Sequence, residues 1–98
     1  MPRNPELMRH NIAEMAKSLE GADRALIEEF FYALLTPAEA DEMAKRWALV
    51  KELANGTPQR RIAEDLGLSL CKITRGSREL KKEGSTFRIL LDRAKEIA

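Results

Sequence analysis

One cysteine, Cys71, and one histidine, His10, occur among the 98 residues. A disulfide framework within the chain and a Cys/His zinc cluster are thereby excluded, and a reduced, intracellular setting is the expectation. Apolar runs are short: the longest, Phe30 to Leu35, has six residues, where a membrane span needs about twenty. Residues 1–10 have no apolar centre of the signal-peptide kind, so the protein is expected to be cytoplasmic, with no membrane partner. Four prolines, five glycines, no tract of one residue type and no internal period argue against linkers, disorder and repeats. A single domain over residues 1–98 is the expectation at this length. Net charge is only +1, from 17 Lys/Arg against 16 Asp/Glu. Bulk charge therefore selects no partner, and its distribution has to be read instead.

Helical spacing of apolar residues is present almost everywhere, and no stretch alternates with period two, so the fold class is all-α with five to six helices. Met8, Ile12, Met15 and Leu19 form one stripe of a first helix over Pro5–Leu19, interrupted by Gly21. A second helix, Asp23 to Leu35, ends in the run Phe30-Phe31-Tyr32-Ala33-Leu34-Leu35. A helix apolar around its full circumference in so small a domain needs cover from outside its own chain, and a homodimer is the simplest supply. Thr36-Pro37-Ala38-Glu39 reads as a helix start, with Thr as N-cap, Pro at the first helical position and Glu reaching back to the cap. That helix is expected to run to about Ala54, with Ala40, Met43, Ala44, Trp47 and Val50 inward, and to stop at Asn55-Gly56. Thr57-Pro58 starts a short helix broken at Leu66-Gly67; Ser69 caps the next, to about Lys82; Ser85 caps a last one with Phe87, Leu90, Leu91, Ala94 and Ile97 along its buried stripe.

Segment by segment the charge is uneven: −2 over residues 1–35, −1 over 36–56, +4 over 57–82 and zero thereafter. Seven cations, Arg60, Arg61, Lys72, Arg75, Arg78, Lys81 and Lys82, face three acids, Glu64, Asp65 and Glu79, in the basic segment. Such a local excess suits a phosphate backbone. Within it, Ile62, Ala63, Leu66, Gly67, Leu68 and Ile73 have the spacing of a helix-turn-helix, placing a reading head over residues 58–82. In that arrangement the helix after Ser69 enters the DNA major groove. Leu70, Cys71, Lys72 and Thr74 then face bases, while Gln59, Arg60, Ser77, Arg78 and Lys81 reach bases or phosphates of double-stranded DNA. The structural alternative is an ordinary pair of core helices with a Lys/Arg-rich solvated surface.

Leu35-Thr36-Pro37, Arg46, Val50, Glu52-Leu53, Gln59-Arg60, Leu66-Gly67 and, most specific of all, Ile73-Thr74-Arg75-Gly76-Ser77 resemble the tryptophan repressor family over about half the chain. The resemblance implies an intertwined homodimer whose N-terminal helices share one core. It also implies a corepressor site. Arg46 and Arg75 resemble the two guanidiniums that sandwich the family's bound indole, an arrangement favoured by cation–π and stacking energy. Arg75 pairs the ligand carboxylate with help from Thr36, Val50 lines the pocket, Gly76 leaves room for the ring, and carbonyls of Ala33 and Leu35 from the partner receive the ammonium. Ligand then sets the separation of the two reading heads to about one DNA turn, roughly 34 to 36 Å.

Four positions depart from the family pattern. Glu79 stands where the family usually has serine near the ligand amino group; it either pairs an ammonium or salt-bridges Arg75 or Lys82. Lys72 replaces threonine, Ala63 replaces a common lysine, and the Asn55-Gly56-Thr57 connection is one residue shorter. Adjacent carboxylates, Glu28-Glu29 and Asp41-Glu42, diverge around a helix and read as solvated faces. With no nucleophile–base set, no metal site and no phosphate-cradling glycine loop, neither an enzyme nor a cofactor is expected. The sequence thus points to a ligand-responsive transcriptional repressor with L-tryptophan or a related indole acid as effector. A ligand-independent DNA-binding regulator and a helical protein-interaction module are the rivals.

Overall fold

The computed structural model describes residues 3–97, with side chains through Lys95. Six helices and no strand occur among the described residues: α1 (Pro5–Leu19), α2 (Arg24–Leu34), α3 (Pro37–Ala54), α4 (Gln59–Leu66), α5 (Leu70–Lys81) and α6 (Thr86–Ile97). Each boundary falls within a residue or two of the sequence expectation, because the signals that set it are local. The Asn4 side chain accepts from the Leu7 N–H at 3.1 Å and starts α1; Asp23 accepts from Leu26 N–H at 2.8 Å and starts α2. At the end of α3, Gly56 has φ of +82°, its N–H bonds the Leu53 carbonyl, and the Thr57 N–H bonds that of Glu52. These two bonds are the paired closure that satisfies a helix's last carbonyls. Thr57 caps nothing: its hydroxyl donates to the Glu52 carboxylate at 2.7 Å, and α4 begins after Pro58 with no side-chain cap.

Two compact units divide the chain, residues 1–37 and 38–98. The first holds α1 and α2, and neither helix contains a buried residue. Phe30 and Phe31 set their rings 6.0 Å apart and tilted by 50°, while Leu7, Met8, Ile12, Leu26, Tyr32 and Leu34 are exposed, Tyr32 to 78%.

The second unit holds α3 to α6 and has its core in two clusters. Leu49 of α3 meets Ile62, Leu68 and Ile73, with Leu53, Ala63 and Leu66 packed around them. Val50 meets Leu80 of α5 and Leu91 of α6, bordered by Trp47, Leu53, Ala54 and Phe87. Helix α3 therefore buries two faces, one toward α4 and α5 and the other toward α5 and α6. The single inward stripe expected from the sequence needs correction on this point. Met43 and Ala44 are exposed, and Leu49, outside that stripe, is 2% exposed and central. Likewise Leu90 and Ala94 of α6 are exposed, and Ile97 lies outside the residues whose side chains are described. Ser85 is the one buried polar residue among those described; its hydroxyl accepts from the Arg88 N–H at 3.3 Å and so starts α6.

Candidate functional site

Helices α4 and α5 are joined by three residues, Gly67-Leu68-Ser69. Gly67 has φ +63° and ψ +34°, the left-handed conformation that a side chain resists and glycine accepts at little cost. Leu68 is buried under the turn, and the Ser69 hydroxyl accepts from Lys72 N–H at 3.4 Å, a long cap. The turn residues thus do what the sequence spacing expected: one bends the chain, one anchors it, and one restarts the helix.

The register of α5 separates three faces. Ile73, Gly76 and Leu80 are buried. A Cβ built on Gly76 would lie 3.2 Å from Leu49 Cδ2 and 3.4 Å from Leu53 Cδ1, so this glycine lets α5 approach α3 closely. On the opposite side Leu70, Cys71, Thr74, Arg78 and Lys81 are exposed, Leu70 to 63%; at a helical period they form one row. Ser77 is half-buried at its edge. Along the flank between these faces come Lys72, Arg75 and Glu79, of which Arg75 is exposed and the other two half-buried.

Helix α3 answers with a row of its own. Glu42, Arg46, Leu49 and Leu53 recur at helical spacing on one stripe. Leu49 and Leu53 receive Gly76, and the Glu42 carboxylate accepts from Lys72 Nζ at 2.6 Å and 3.1 Å through its two oxygens. Arg46, exposed, lies between Glu42 and Leu49 on that stripe. Val50, on the neighbouring face, is buried in the second cluster.

Electrostatics sorts the cations into two groups. Lys72 is bound by Glu42, Arg61 lies 3.7 Å from Asp65, and Lys82 Nζ donates to Glu79 at 2.9 Å. Among the described residues Arg46, Arg60, Arg75, Arg78 and Lys81 stand in no ion pair. The carboxyls of Glu42 and Glu79 are shifted. Hydrogen bonding from Lys72 holds Glu42 below the ordinary 4.5, and the nearby charges of Lys72, Arg46 and Lys45 reinforce this against partial desolvation. Glu79 is lowered in the same way by Lys82, then by the fields of Lys82, Arg75 and Arg78. Glu79 accepts from Lys82 Nζ, one of the salt bridges open to it in the sequence.

Gln59 and Arg60, at the start of α4, are exposed. Thr36, Ala33 and Leu35 belong to the first unit, where Thr36 and Ala33 are exposed and Leu35 is half-buried. Glu42 is not on the solvated face that its place beside Asp41 in the sequence predicts. Asp41 does lie there, 3.1 Å from Lys45 in the next turn. The partner of Glu42 is thirty residues away, and no local pattern announces it. Among the described residues no group of three His, Cys, Asp or Glu side chains is placed to hold a metal ion, and no helix is long and apolar enough to cross a membrane.

A six-helix chain whose short, glycine-turned helix pair carries an exposed row on one side and a docked seam on the other fits the class of small helical transcriptional regulators. The sequence pattern of the Trp repressor protein family matches residues 9–95, and the chain belongs to that family of transcriptional repressors. A Trp operon repressor homolog of Vibrio parahaemolyticus is 33% identical over 92 residues, 89% of this chain and 87% of the relative. Another, of Chlamydia caviae, is 41% identical over 64 residues, 64% and 63% of the two chains. A third, of Photobacterium profundum, is 47% identical over 51 residues, 51% and 50%. No solved structure matches the chain.

Proposed function

We propose that the protein is a cytoplasmic, homodimeric repressor that grips double-stranded operator DNA through α5 and responds to L-tryptophan or a related indole acid. The observation that carries this reading is the exposed row Leu70, Cys71, Thr74, Arg78 and Lys81 on a helix whose opposite side is docked on α3. Arg60, Arg78 and Lys81, with no acidic partner, supply phosphate contacts, and Thr74 with its neighbours meets base edges. Arg46 and Arg75 stack on the two faces of the effector, with Arg75 also pairing its carboxylate. Val50 and Gly76 belong to that pocket by family resemblance, as do Thr36, Ala33 and Leu35. The exposed apolar residues of α1 and α2 support a dimer, since so many large apolar side chains left in water call for cover.

Operator affinity is expected to rise with effector, and DNA to tighten the effector by the same factor. Duplexes selected from a random library in the presence of tryptophan provide the operator, and anisotropy titrations at several salt concentrations measure its affinity. A log–log slope near −0.9 per phosphate contact is expected, several units in all; affinity indifferent to salt would overturn DNA binding. Calorimetry with tryptophan, indole-3-carboxylic acid and anthranilate identifies the effector. Arg75→Ala should abolish corepression while leaving ligand-free DNA binding; undiminished corepression would overturn the pocket.

A ligand-independent regulator is favoured by one observation: Glu79 and Lys72, both beside Arg75, already have partners within the chain. Absence of heat with every indole acid, alongside salt-dependent DNA binding, selects that reading.

A further inference from the structure

We propose that Glu42 and Lys72 are a positioning pair: they seat the first turn of α5 on α3 without any small molecule, so that the chain itself performs part of the ordering otherwise left to the effector. This rests on the reading above, in which α5 enters DNA and Arg46 and Arg75 flank an aromatic acid.

Three features carry it. The pairs His10–Glu14, Asp41–Lys45, Arg61–Asp65 and Glu79–Lys82 join side chains three or four positions apart, within one helix or its cap, whereas Glu42 and Lys72 are thirty apart and cross from α3 to α5. Both oxygens of Glu42 accept from the one ammonium, and the side chains are 43% and 39% exposed, so neither swings freely in water. The placement matters more than the strength. Gly76 meets Leu49 and Leu53, with Ile73 and Leu80 buried on the same side of α5; Lys72 adds a charged contact at Glu42, two turns before Leu49 on α3, so the seam is held on both sides of Arg46. Arg75 follows Lys72 by one turn on α5.

Helix α5 needs such support. Its centre, Thr74-Arg75-Gly76-Ser77, has low intrinsic helix propensity, and the Ser69 cap is long at 3.4 Å. Lys72 also lies off the outward row, toward α3. Its charge therefore serves the seam rather than the DNA, although the sequence alone put it among the base-facing residues.

Glu42→Gln in the full chain tests the pair. In the protein without ligand or DNA, amide exchange over residues 70–75 should quicken about two- to five-fold, the scale of a half-exposed ion pair. Ligand-free operator affinity should fall by a similar factor and effector-saturated affinity by less, so the corepression ratio rises. The charge-swapped double variant Glu42→Lys/Lys72→Glu should restore slow exchange. Unchanged exchange in Glu42→Gln would overturn the pair. So would tighter DNA binding with a steeper salt slope, which would mean that Glu42 merely withholds Lys72 from phosphates. Should the wild-type chain bind no duplex at all, the functional reading falls, while the exchange measurement still decides the pair.

Discussion

Glu42 and Glu79 carry lowered carboxyls, and the consequence for pH has a definite sign. A carboxylate whose native pKa lies below its unfolded value stabilises the fold above the unfolded value, and that contribution disappears as pH falls through the native pKa. Both groups start from 4.5 and are held lower chiefly by hydrogen bonds from Lys72 and Lys82. Wild-type protein should therefore melt above Glu42→Gln at neutral pH, by a margin that narrows below 4.5 and closes once the native carboxyl is protonated. A margin equally wide at neutral and strongly acid pH would show that the ion pair is not its source. Gly76 offers a second residue-scale test. Alanine there gains about 1 kcal/mol of helix propensity but needs Leu49 Cδ2 to retreat a few tenths of an ångström from a contact of 3.2 Å. A leucine cannot be accommodated so cheaply, and Gly76→Leu should cost about 1 to 3 kcal/mol in chemical denaturation.

Between helices, the central object is α3. Its apolar residues point to two sides because α5 lies at the junction of the two clusters, contributing Ile73 to one and Leu80 to the other. Leu49→Ala removes the residue on which α4, α5 and the turn between them converge, and should cost about 2 to 5 kcal/mol by calorimetry or urea melting. Met43→Ala, equally apolar in sequence but exposed, should cost well under that. The turn after α4 makes its own prediction. At φ +63°, Gly67→Ala should destabilise by about 1 to 2 kcal/mol, although nothing lies within 4 Å of the new methyl, because the strain is in the backbone. If space were the cause, the substitution would be silent.

At the scale of the whole molecule, the two units differ in how they are stabilised. Residues 38–98 bury Leu49, Val50, Ile62, Leu68, Ile73, Leu80 and Leu91; residues 1–37 contribute no buried side chain from either helix. The proposed homodimer would account for that imbalance, and its melting temperature should climb with protein concentration, with sedimentation giving twice the chain mass. A concentration-independent transition at monomer mass would remove the dimer from the proposal. In the second unit, Ile89 and Leu90 of α6 are exposed as well.

Helix limits were legible in the letters because their causes are local. Asn4, Asp23, Ser69 and Ser85 each accept an amide within the next turn, and Gly56 and Gly67 end their helices in left-handed geometry. The same locality made the row of Leu70, Thr74, Arg78 and Lys81 readable, since helical period alone aligns it. What a residue faces across a gap is a different kind of fact. Leu49 and Met43 are both apolar residues of one helix, yet only packing by α4 and α5 buries the first and leaves the second in water. Glu42 sits beside Asp41 in sequence and shares its chemistry. Its partner is nonetheless Lys72, thirty residues on, because Gly76 brings α5 near enough to α3 for two charges to meet, and spacing along a chain carries no information about such a meeting.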